Sequence, residues 1–529
     1  MIEGNAVHPT LCEYLDLNGK WRAERTAVVF EDQRLTWGEL RARINQTANG
    51  LNEHGVGVGQ RVAALIDNRL ETVEAMIGAM RSGAAIAPIN LTISDDAIRR
   101  QLLDCQPAVI MASPAEALRI DGLGGLSQLA GCLRLVVGGQ APGWTEFSAW
   151  RASQSAAQPR TTPRHDDLCT IIYSSGTTGV PKGIAHNHRG RLAFTLQGAQ
   201  AMRLHDDCVT ICSLGFYSNA TWLSLLSALV VGGTVVVLAA FKPEEFLATM
   251  ERERATHLFL VPLQYRLLVE HPGRDAFDVS SMQVFVAAGA VMPTALKRRV
   301  AEWVDCAFIE AYGLTEGFAT ILSDQDGRRK PASVGKPMLG SDLLILKDND
   351  EEAQVGEPGE IVGRSPLTME GYFRRPADTE AAFWTDAHGR RWLRTGDVGY
   401  LDEEGFLYLL DRKKDMIVSG GQNIFPVDIE TVASGHPDVA QVAVIGVAHE
   451  KWGETPLAVI VPRNGADPDP EALLSWINAR VGKRQRVSSV TFRQSLPVNA
   501  LGKVLKRELR AQLGKSSSSD SLDTNNGVR

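Results

Sequence analysis

The stretch Tyr173-Ser-Ser-Gly-Thr-Thr-Gly-Val-Pro-Lys-Gly183 is the most informative part of the 529-residue chain. It follows an apolar run, Leu168 to Tyr173, which predicts a buried strand. Glycines and hydroxyls packed so closely in sequence let backbone N–H and side-chain O–H groups surround phosphate oxygens, and Lys182 can add a positive charge. The spacing is not that of the GxxxxGK[ST] loop, so the nucleotide-binding fold of that class is not implied. The stretch predicts a phosphate loop; a flexible surface loop is the alternative, disfavoured by the Pro-Lys-Gly ending.

The segments on both sides of this loop alternate short apolar strands with amphipathic helices. Thr36 and Glu39 have the spacing of a capping box, which predicts a helix from Trp37 to His54. Such alternation is typical of parallel sheets with helices on their faces. After Gly335, short strands separated by turns predict an antiparallel, barrel-like subdomain. A compact α/β segment of about one hundred residues follows, a size typical of a separate domain.

Composition excludes several classes of protein. Apolar residues make up 44% and charged residues 22% of the chain, as in globular proteins. The formal net charge is −7, from 55 basic and 62 acidic residues, so nucleic acid and anionic membranes are not expected partners. Seven cysteines without a CxxC pair predict reduced thiols in the cytoplasm, with neither a disulfide framework nor a zinc site. The N-terminal residues lack the pattern of a signal peptide, which agrees with that expectation.

One segment, Leu223 to Ala240, is apolar enough to need testing against a membrane-spanning helix. Gly232-Gly233-Thr234 divides it into a helical part, Trp222 to Val231, and a β-branched part, Thr234 to Leu238. A buried helix, a turn and a buried strand therefore fit better, and no integral membrane segment is expected.

Four further motifs follow the loop along the chain. They are Tyr312-Gly-Leu-Thr-Glu316, Arg394-Thr-Gly-Asp397, Asp411-Arg-Lys-Lys-Asp415 with Ser419-Gly-Gly-Gln-Asn423, and Pro497-Val-Asn-Ala-Leu-Gly-Lys503. Each is weak evidence alone, but in this order and spacing they resemble the motifs of the adenylate-forming (AMP-binding) superfamily. That superfamily contains acyl-CoA synthetases, luciferases and peptide-synthetase adenylation domains, and the resemblance covers residues 20 to 512. The SGGxN pattern at Ser419 to Asn423 resembles the acyl-CoA synthetase and aryl-CoA ligase branch of this superfamily, in which residues 412–415 would form the hinge between two domains.

The resemblance implies an AMP-forming acyl-CoA synthetase that uses ATP, Mg²⁺ and coenzyme A. A carboxylic acid would attack the α-phosphate of ATP to give an acyl adenylate and pyrophosphate, and CoA would then take the acyl group and release AMP. Two anions must meet in the first step, so the site needs cations and fixed donors. The implied fold is α/β: a large N-terminal domain with parallel-type sheets flanked by helices plus a small antiparallel barrel-like subdomain, and a smaller, mobile C-terminal α/β domain.

The resemblance also implies roles for individual residues. Lys503, Glu316 and Lys182 would be catalytic, with Lys503 holding the carboxylate and the α-phosphate together. Glu316 and the hydroxyl of Thr177 would bind Mg²⁺, which prefers oxygen ligands. Simple turn geometry is an equal explanation for Gly289. The full set expected to bind ATP or AMP is Ser174, Ser175, Gly176, Thr177, Thr178, Gly179, Lys182, Gly289, Ala290, Glu310, Ala311, Tyr312, Gly313, Thr315, Asp397, Arg412 and Lys503.

The acyl pocket is expected around the segment Ser213 to Ala220. Tyr217 stands where many relatives carry a histidine, so a gating role for that histidine does not transfer; core packing is the alternative for Tyr217. Relatives that activate amino acids carry an aspartate in this pocket, which this chain lacks. The expected lining is neutral and suits a monocarboxylic acid with an aromatic, alicyclic or medium-chain body. The expected lining residues are Tyr217, Asn219, Ala311, Gly313 and Phe318.

The hinge motif implies a second conformation for CoA transfer. Lys414 would be the pivot, and Ser419, Gly420 and Gly421 would line the CoA channel. The predicted domains are therefore 1–411 for the large domain, 412–415 for the hinge, 416–513 for the small domain and 514–529 for a disordered tail. A homodimer is one option for the assembly.

Three other functions stay open at this stage. The acyl group could pass to a carrier protein instead of free CoA, since the pantetheine arm is the same. Luciferase-type oxygenation is a second. A non-catalytic sensor of small molecules on the same fold is a third, which intact Lys503, Glu316 and Asp397 argue against.

Overall fold

The computed structural model describes residues 9–174, 181–290, 292–419, 422–463, 465–483, 485–498 and 502–519. The helices are α1 Leu11–Trp21, α2 Trp37–Glu53, α3 Leu70–Arg81, α4 Asp95–Cys105, α5 Pro114–Asp121, α6 Phe147–Ala152, α7 His188–Ala201, α8 Asn219–Val230, α9 Pro243–Arg252, α10 Pro262–Val269, α11 Thr294–Trp303, α12 Asp324–Arg329, α13 Pro376–Ala381, α14 Pro426–Ser434, α15 Pro470–Asn478 and α16 Lys506–Ser519.

The strands are β1 Thr26–Phe30, β2 Gln33–Thr36, β3 Arg61–Leu65, β4 Ala85–Pro88, β5 Val109–Ala112, β6 Leu133–Val136, β7 Thr145–Glu146, β8 Leu168–Ser174, β9 Lys182–Asn187, β10 Val209–Cys212, β11 Thr234–Val237, β12 His257–Leu260, β13 Val284–Ala287, β14 Ala307–Leu314, β15 Phe318–Leu322, β16 Lys336–Pro337, β17 Asp342–Leu346, β18 Gly359–Arg364, β19 Gly371–Tyr372, β20 Phe383–Thr385, β21 Arg391–Leu401, β22 Leu407–Arg412, β23 Ile417–Ser419, β24 Gln422–Ile424, β25 Val439–His449, β26 Gly453–Pro462 and β27 Ser489–Phe492.

Two large sheets carry most of these strands. One has the order β16-β15-β14-β13-β12-β10-β11-β1-β2, and the other β19-β9-β8-β4-β3-β5-β6-β7. The inner pairs, such as β12–β13 and β3–β4, are parallel, whereas β14–β15 and β8–β9 are antiparallel. A buried cluster joins Val28, Val62, Trp37, Met76 and Trp222 from both sheets and from the helices between them. The predicted α/β class with parallel sheets and flanking helices is confirmed.

Two smaller sheets are mainly antiparallel. The first has the order β17-β18-β21-β20 with β22 paired to β21, and the second has the order β24-β23-β26-β25. Strand β27 runs parallel to β26. The change to short antiparallel strands after Gly335 is therefore as the turn pattern predicts.

Contacts along the chain divide it into two units. Unit 1 is Met1–Asp342 with Gly363–Leu393, and unit 2 is Leu343–Val362 with Arg394–Arg529. The predicted boundary between residues 411 and 412 stays a prediction. In the predicted tail, α16 extends to Ser519, and 520–529 lie outside the described residues.

Local sequence signals fix several of these elements. Thr36 accepts a hydrogen bond from the backbone N–H of Glu39, and the Glu39 carboxylate accepts one from the N–H of Thr36, which completes the predicted capping box of α2. The apolar segment 223–240 forms most of α8, a turn and β11. Gly232 permits that turn because its φ is +87°, in the left-handed region that favours glycine. Across the described residues, the helices are all too short or too polar to cross a membrane.

Three histidines of unit 1 are buried in their neutral form. His186, His188 and His257 are each no more than 4% exposed. Burial lowers the pKa of His188 and of His257 to about 4, and that of His186 falls well below its ordinary value. Nε2 of His257 lies 3.2 Å from the Arg203 carbonyl, so this nitrogen carries the proton. These side chains therefore contribute to folding only while they are uncharged.

We predict that unit 1 loses stability as the pH falls from 6.5 towards 4. In that window the unfolded chain binds protons at these histidines and the folded chain does not, so each contributes a slope of roughly 1.4 kcal/mol per pH unit. Urea unfolding at a series of pH values measures the slope. His257→Gln should make it shallower, and His388→Gln, at an exposed position, should leave it unchanged. Equal slopes in all three proteins would contradict the prediction.

Candidate active site

The ends of the predicted phosphate loop lie on paired strands. Ser174 closes β8 and Lys182 opens β9, and the two are register partners in the antiparallel ladder. Ser175, Gly176, Thr177, Thr178 and Gly179 lie outside the described residues, as do Gly420 and Gly421 of the predicted CoA channel. The roles proposed for these residues therefore stay predictions.

Lys182 and Glu316 are brought together around one tyrosine. The Tyr372 hydroxyl donates a hydrogen bond of 3.0 Å to Oε1 of Glu316. Lys182 Nζ lies 4.9 Å from the centre of the Tyr372 ring and 2.6 Å from Oδ1 of Asp378. Burial, with the Glu316 carboxylate beside it, raises the pKa of Tyr372, which therefore stays a hydroxyl donor. Unit 1 thus places a cation, a phenol and two carboxylates in one cluster.

Glu316 stands at the tip of the hairpin formed by β14 and β15, in which Leu314 and Phe318 are register partners. The next residue, Gly317, has a φ of +106°, and a Cβ atom there would lie 1.9 Å from the Leu367 carbonyl oxygen. Only glycine fits this approach of two backbones. The carbonyl of Glu316 accepts a bond of 2.8 Å from the N–H of Met369. The hairpin tip is therefore fixed against the chain around residue 368.

A second contact fixes the same tip from β9. His186 Nε2 lies 2.8 Å from the Thr315 carbonyl, which can only accept, so Nε2 carries the proton. Burial and the nearby Arg191 lower the pKa of His186, which keeps the ring neutral in this tautomer. His186 thus orients the residue that precedes Glu316.

The Glu316 carboxylate suits a hard cation such as Mg²⁺. Among the described residues, Tyr372 is the hydrogen-bond partner of this carboxylate, through Oε1, and Oε2 makes no hydrogen bond. Glu316 is only partly buried, so Oε2 can serve as a ligand. Thr177, the other predicted ligand, lies outside the described residues.

The residues expected around adenine lie on two adjacent parallel strands. Gly289 and Ala290 follow the end of β13, and Ala311, Tyr312 and Gly313 lie in β14, whose Glu310 pairs with Ala287 of β13. Glu310 forms an ion pair with Lys297. Burial raises the pKa of Glu310 and Lys297 opposes this rise. The Glu310 carboxylate, which the resemblance expects to bind ATP, is thus paired with Lys297.

The residues expected around the acyl group fall into three groups. Tyr217 is partly buried, which raises its pKa, and Asn219 is the partly buried first residue of α8. Ala311 and Gly313 share β14 with Tyr312. Phe318 is fully buried, and its ring lies against the backbone of Gly363. The Phe318 ring thus supports the hairpin from within.

Unit 2 contains a separate group of charged residues. Asp397 of β21 and Arg412 of β22 are register partners, with Arg412 Nε 2.9 Å from Asp397 Oδ1. The Thr395 hydroxyl accepts a bond of 3.1 Å from the Asp397 N–H and donates one to the Ile361 carbonyl. Asp397 is only 6% exposed, and Arg412 compensates the charge of its buried carboxylate. The TGD motif is thus part of a rigid sheet.

Lys503 lies close to this ion pair. Partial desolvation lowers its pKa to about 8, aided by the positive charges of Arg412 and Lys414 and opposed by Asp397 and Asp415. Lys414 is also partly desolvated, which lowers its pKa. Such a group of cations attracts an anionic ligand.

Ion pairs from α16 hold the hinge motif in place. Lys506 Nζ lies 3.5 Å from Asp411 and 2.8 Å from Glu430, and Arg510 lies 2.9 Å from Asp415. Lys506 and Asp411 are largely buried, so these contacts are little screened by water. Both carboxylates that flank Lys414 are therefore bound to the helix that follows Lys503. Ser419, at the end of β23, pairs with Gln422 and Gly453.

Several residues of the site escape sequence reasoning. Tyr372, Asp378 and Lys297 reach it only through the fold, and no local pattern marks them. His186 and Arg191 flank a helix start, where polar residues are common without a function. Arg191 is 1% exposed, although a lone arginine in a helix usually indicates an exposed face.

Comparison with known proteins gives the same family throughout. A family model described as AMP-binding enzyme matches residues 16–373, and one described as AMP-binding enzyme C-terminal domain matches residues 428–503. Feruloyl-CoA synthase from Amycolatopsis sp. is 33% identical, over 94% of this chain and 99% of that protein. Indoleacetate–CoA ligase from Aromatoleum aromaticum is 31% identical, over 94% of this chain and 97% of that protein. ATP-bound MatB from Rhodopseudomonas palustris superposes with a TM-score of 0.86 at 28% identity, over 94% of this chain and 98% of that one.

We predict that Tyr372→Phe weakens the binding of ATP with Mg²⁺. The substitution keeps the ring beside Lys182 and removes the only hydroxyl that holds Oε1 of Glu316 among the described residues. A hydrogen bond to a charged group is worth ~1.5–3 kcal/mol, so the loss in affinity should be at least roughly 10-fold. Calorimetric titration with ATP at several Mg²⁺ concentrations measures it.

The matched control for this prediction is Tyr408→Phe. Its hydroxyl also donates to a carboxylate, at 3.3 Å from Asp402 in unit 2, and neither residue belongs to the set expected to bind ATP. This control should bind ATP as the unaltered protein does. Equal affinity in both variants would show that Tyr372 does not position Glu316.

Proposed function

The chain belongs to the AMP-binding enzyme family, and we propose that it is an ATP-dependent acid–thiol ligase, an acyl-CoA synthetase of the AMP-forming type. Its substrates are a carboxylic acid, ATP and CoA, and its products are acyl-CoA, AMP and pyrophosphate. The observation that carries the proposal is the position of Lys503 beside the Asp397–Arg412 pair in unit 2.

The first half-reaction joins the acid to the α-phosphate. Lys503 supplies the positive charge that holds the two anions in contact and stabilises the charge of the transition state. Asp397 accepts hydrogen bonds from the ribose hydroxyls, with Arg412 fixing its carboxylate. Burial, aided by Arg412 and Lys414, lowers the pKa of free Lys503. A bound anion would raise this pKa again, so we propose that Lys503 is charged when ATP is present.

Unit 1 contributes the remaining charges of this step. We propose that Lys182 neutralises phosphate oxygens and that its ion pair with Asp378 keeps it oriented until ATP binds. Glu316 and Thr177 would hold Mg²⁺, which, when bound, supplies charge neutralisation between phosphate oxygens. The groups expected to bind the nucleotide are those of the phosphate loop, of β13 and of β14.

The second half-reaction needs Lys503 to give way to CoA. We propose that Lys414 is the pivot of this change and that Ser419, Gly420 and Gly421 line the channel for the pantetheine arm. The change requires the ion pairs of Asp411 and Asp415 with α16 to open or to move as one piece. The domain boundary at residues 411–416 belongs to the same proposal.

The acid has an aromatic or alicyclic body. The feruloyl-CoA and indoleacetate–CoA ligases among the relatives support this. The neutral lining expected from Tyr217, Ala311 and Gly313 agrees with it. An acid with a medium-length chain is the alternative. We also place the enzyme in the cytoplasm, since its seven cysteines are free thiols. A homodimer stays a prediction that light scattering would test.

The test is pyrophosphate release over a panel of acids, with and without CoA. AMP and a thioester should form only when acid, ATP and CoA are all present. Adenylation without transfer to free CoA, followed by loading of a pantetheine-bearing carrier protein, would support the carrier-protein alternative. If no acid causes pyrophosphate release, the ligase assignment is wrong and a sensor function is favoured.

We predict that Lys503→Ala stops adenylation and spares thioester formation from supplied acyl-AMP. Lys503 acts only before the acyl adenylate exists, and the loss of one such contact costs ~2.7–4 kcal/mol, or 10²–10³-fold in rate. Lys483→Ala, at an exposed position of unit 2, is the control and should keep both half-reactions. Equal losses in both half-reactions of Lys503→Ala would refute the division of roles.

We predict the reverse for Lys414→Pro. Proline fixes φ near −65° and restricts the residue before it, so the hinge cannot change its backbone conformation. Adenylation should continue while CoA transfer fails, which the two separate assays measure. Lys413→Pro, one residue earlier, tests whether the effect is specific to the pivot. Normal overall turnover in Lys414→Pro would remove Lys414 from that role.

A further inference from the structure

Arg191 is a buried cation without an acidic partner among the described residues. It lies in α7, is 1% exposed, and places its guanidinium 4.9 Å from the ring centre of Phe194 and 5.7 Å from that of Trp222. Its two hydrogen bonds go to neutral oxygens: NH1 to Oδ1 of Asn219 at 2.8 Å and NH2 to Oγ1 of Thr170 at 2.6 Å. Burial lowers its pKa to about 10, so the group stays charged at neutral pH. An isolated buried charge is costly. What distinguishes Arg191 from the equally buried Arg81, whose guanidinium makes no hydrogen bond among the described residues, is its bond to the Asn219 amide.

The hydrogen bond from Arg191 fixes the orientation of the Asn219 amide. A guanidinium has donors only, so the Asn219 atom that faces it must be the carbonyl oxygen. Turning the amide over would place two N–H donors against each other beside a positive charge. The Nδ2 amino group therefore always points away from Arg191. No such fixed orientation exists for an asparagine in contact with water alone.

The Nδ2 amino group is left open to a ligand. In the part of the chain that the structure describes, this amino group has no hydrogen-bond partner. It is not one of the buried polar atoms without a partner, so it is accessible to solvent. Asn219 is partly buried, whereas Arg191 behind it is fully buried. The charge of Arg191 also strengthens the donor, because hydrogen bonds in a chain polarise one another.

We propose that Asn219 presents a fixed hydrogen-bond donor to the acyl body of the substrate and that the enzyme selects acids carrying an acceptor oxygen there. Arg191 is the positioning residue, and the acceptor is a keto, ether or hydroxyl oxygen on the ring. The inference rests on the proposed function and on the placement of Asn219 in the acyl pocket. The same geometry disfavours an acyl body with an amine, because a donor and a positive charge face it.

The test uses aromatic acids that differ in one group of nearly constant shape. At each ring position, a methoxy group is an acceptor, an ethyl group has no polar atom, and a methylamino group is a donor. The quantity measured is the ratio of kcat/KM for pyrophosphate release between two acids on the same protein. A loss of folded protein changes both values equally and cancels in the ratio. For the unaltered enzyme, methoxy should exceed ethyl at one ring position, and methylamino should rank last.

The variants separate the donor from its support. Asn219→Leu keeps the size without polar atoms, so the methoxy-to-ethyl ratio should fall roughly 10- to 100-fold. Asn219→Asp replaces the donor by an acceptor of the same shape, so methylamino should overtake methoxy. Arg191→Met frees the amide to turn over, so the two polar acids should approach each other. Thr170→Val removes the other bond of Arg191 and should keep the original order.

Each outcome decides between the two proposals. An unchanged methoxy-to-ethyl ratio in Asn219→Leu, or no reversal in Asn219→Asp, overturns the donor inference while the ligase function stands. Loss of the original order in Thr170→Val as well would show a general disturbance of the pocket, and would overturn the role given to Arg191. Absence of pyrophosphate release with any acid would overturn the ligase function itself and this inference with it.

Discussion

The close approach of two backbones at Gly317 is the constraint on which the unit 1 site depends. The Leu367 carbonyl occupies the space of a side chain at this position, so the hairpin tip can be held by backbone contacts on one side and by His186 on the other. Glu316 therefore enters the site on a rigid support, which a metal ligand needs if its distance to phosphate is to be constant. Tyr372 completes the support, since its hydroxyl bonds one oxygen of the Glu316 carboxylate and leaves the other for the proposed cation.

The charged residues of unit 2 form two groups, one at the hinge motif and one around Lys503. The hinge carboxylates, Asp411 and Asp415, are each paired with a cation of α16, so the charges that hold the motif nearly cancel. Around Lys503, burial lowers the pKa of the lysine, with Arg412 and Lys414 adding to the effect and Asp397 and Asp415 opposing it. An anionic ligand bound there would offset part of the cost of burying this cation. A desolvated lysine beside the paired charges of the hinge therefore supports the proposed ATP-dependent step.

The sequence predicts the parts of this structure that depend on neighbours in the chain. The capping box at Thr36, the Gly232 turn and the alternation of strands and helices are local, and each is confirmed. The grouping of Asp397, Arg412 and Lys503 follows from the motifs only through resemblance to a family. Tyr372 and Lys297 lie 56 and 13 residues from their partners, and the pairing depends on sheet order, which local patterns do not contain. Burial of Arg191 could not be predicted from the sequence either, because helix periodicity alone places an arginine on the exposed face of a helix.

Arg191 shows how a costly group can be recognised as functional. Two other buried cations have acidic partners, since Arg151 lies 2.9 Å from Glu74 and Lys506 lies 2.8 Å from Glu430. Arg81 is buried without any hydrogen-bond partner among the described residues. Arg191 has hydroxyl and amide oxygens instead, and an apolar side chain would fill the same space between Phe194 and Trp222 at lower cost. A neutral acceptor cannot compensate its charge, but it can transmit that charge through an amide whose other end is open. We therefore propose that Arg191, which lies behind Asn219, sets the polarity of an acyl pocket whose expected lining residues are neutral.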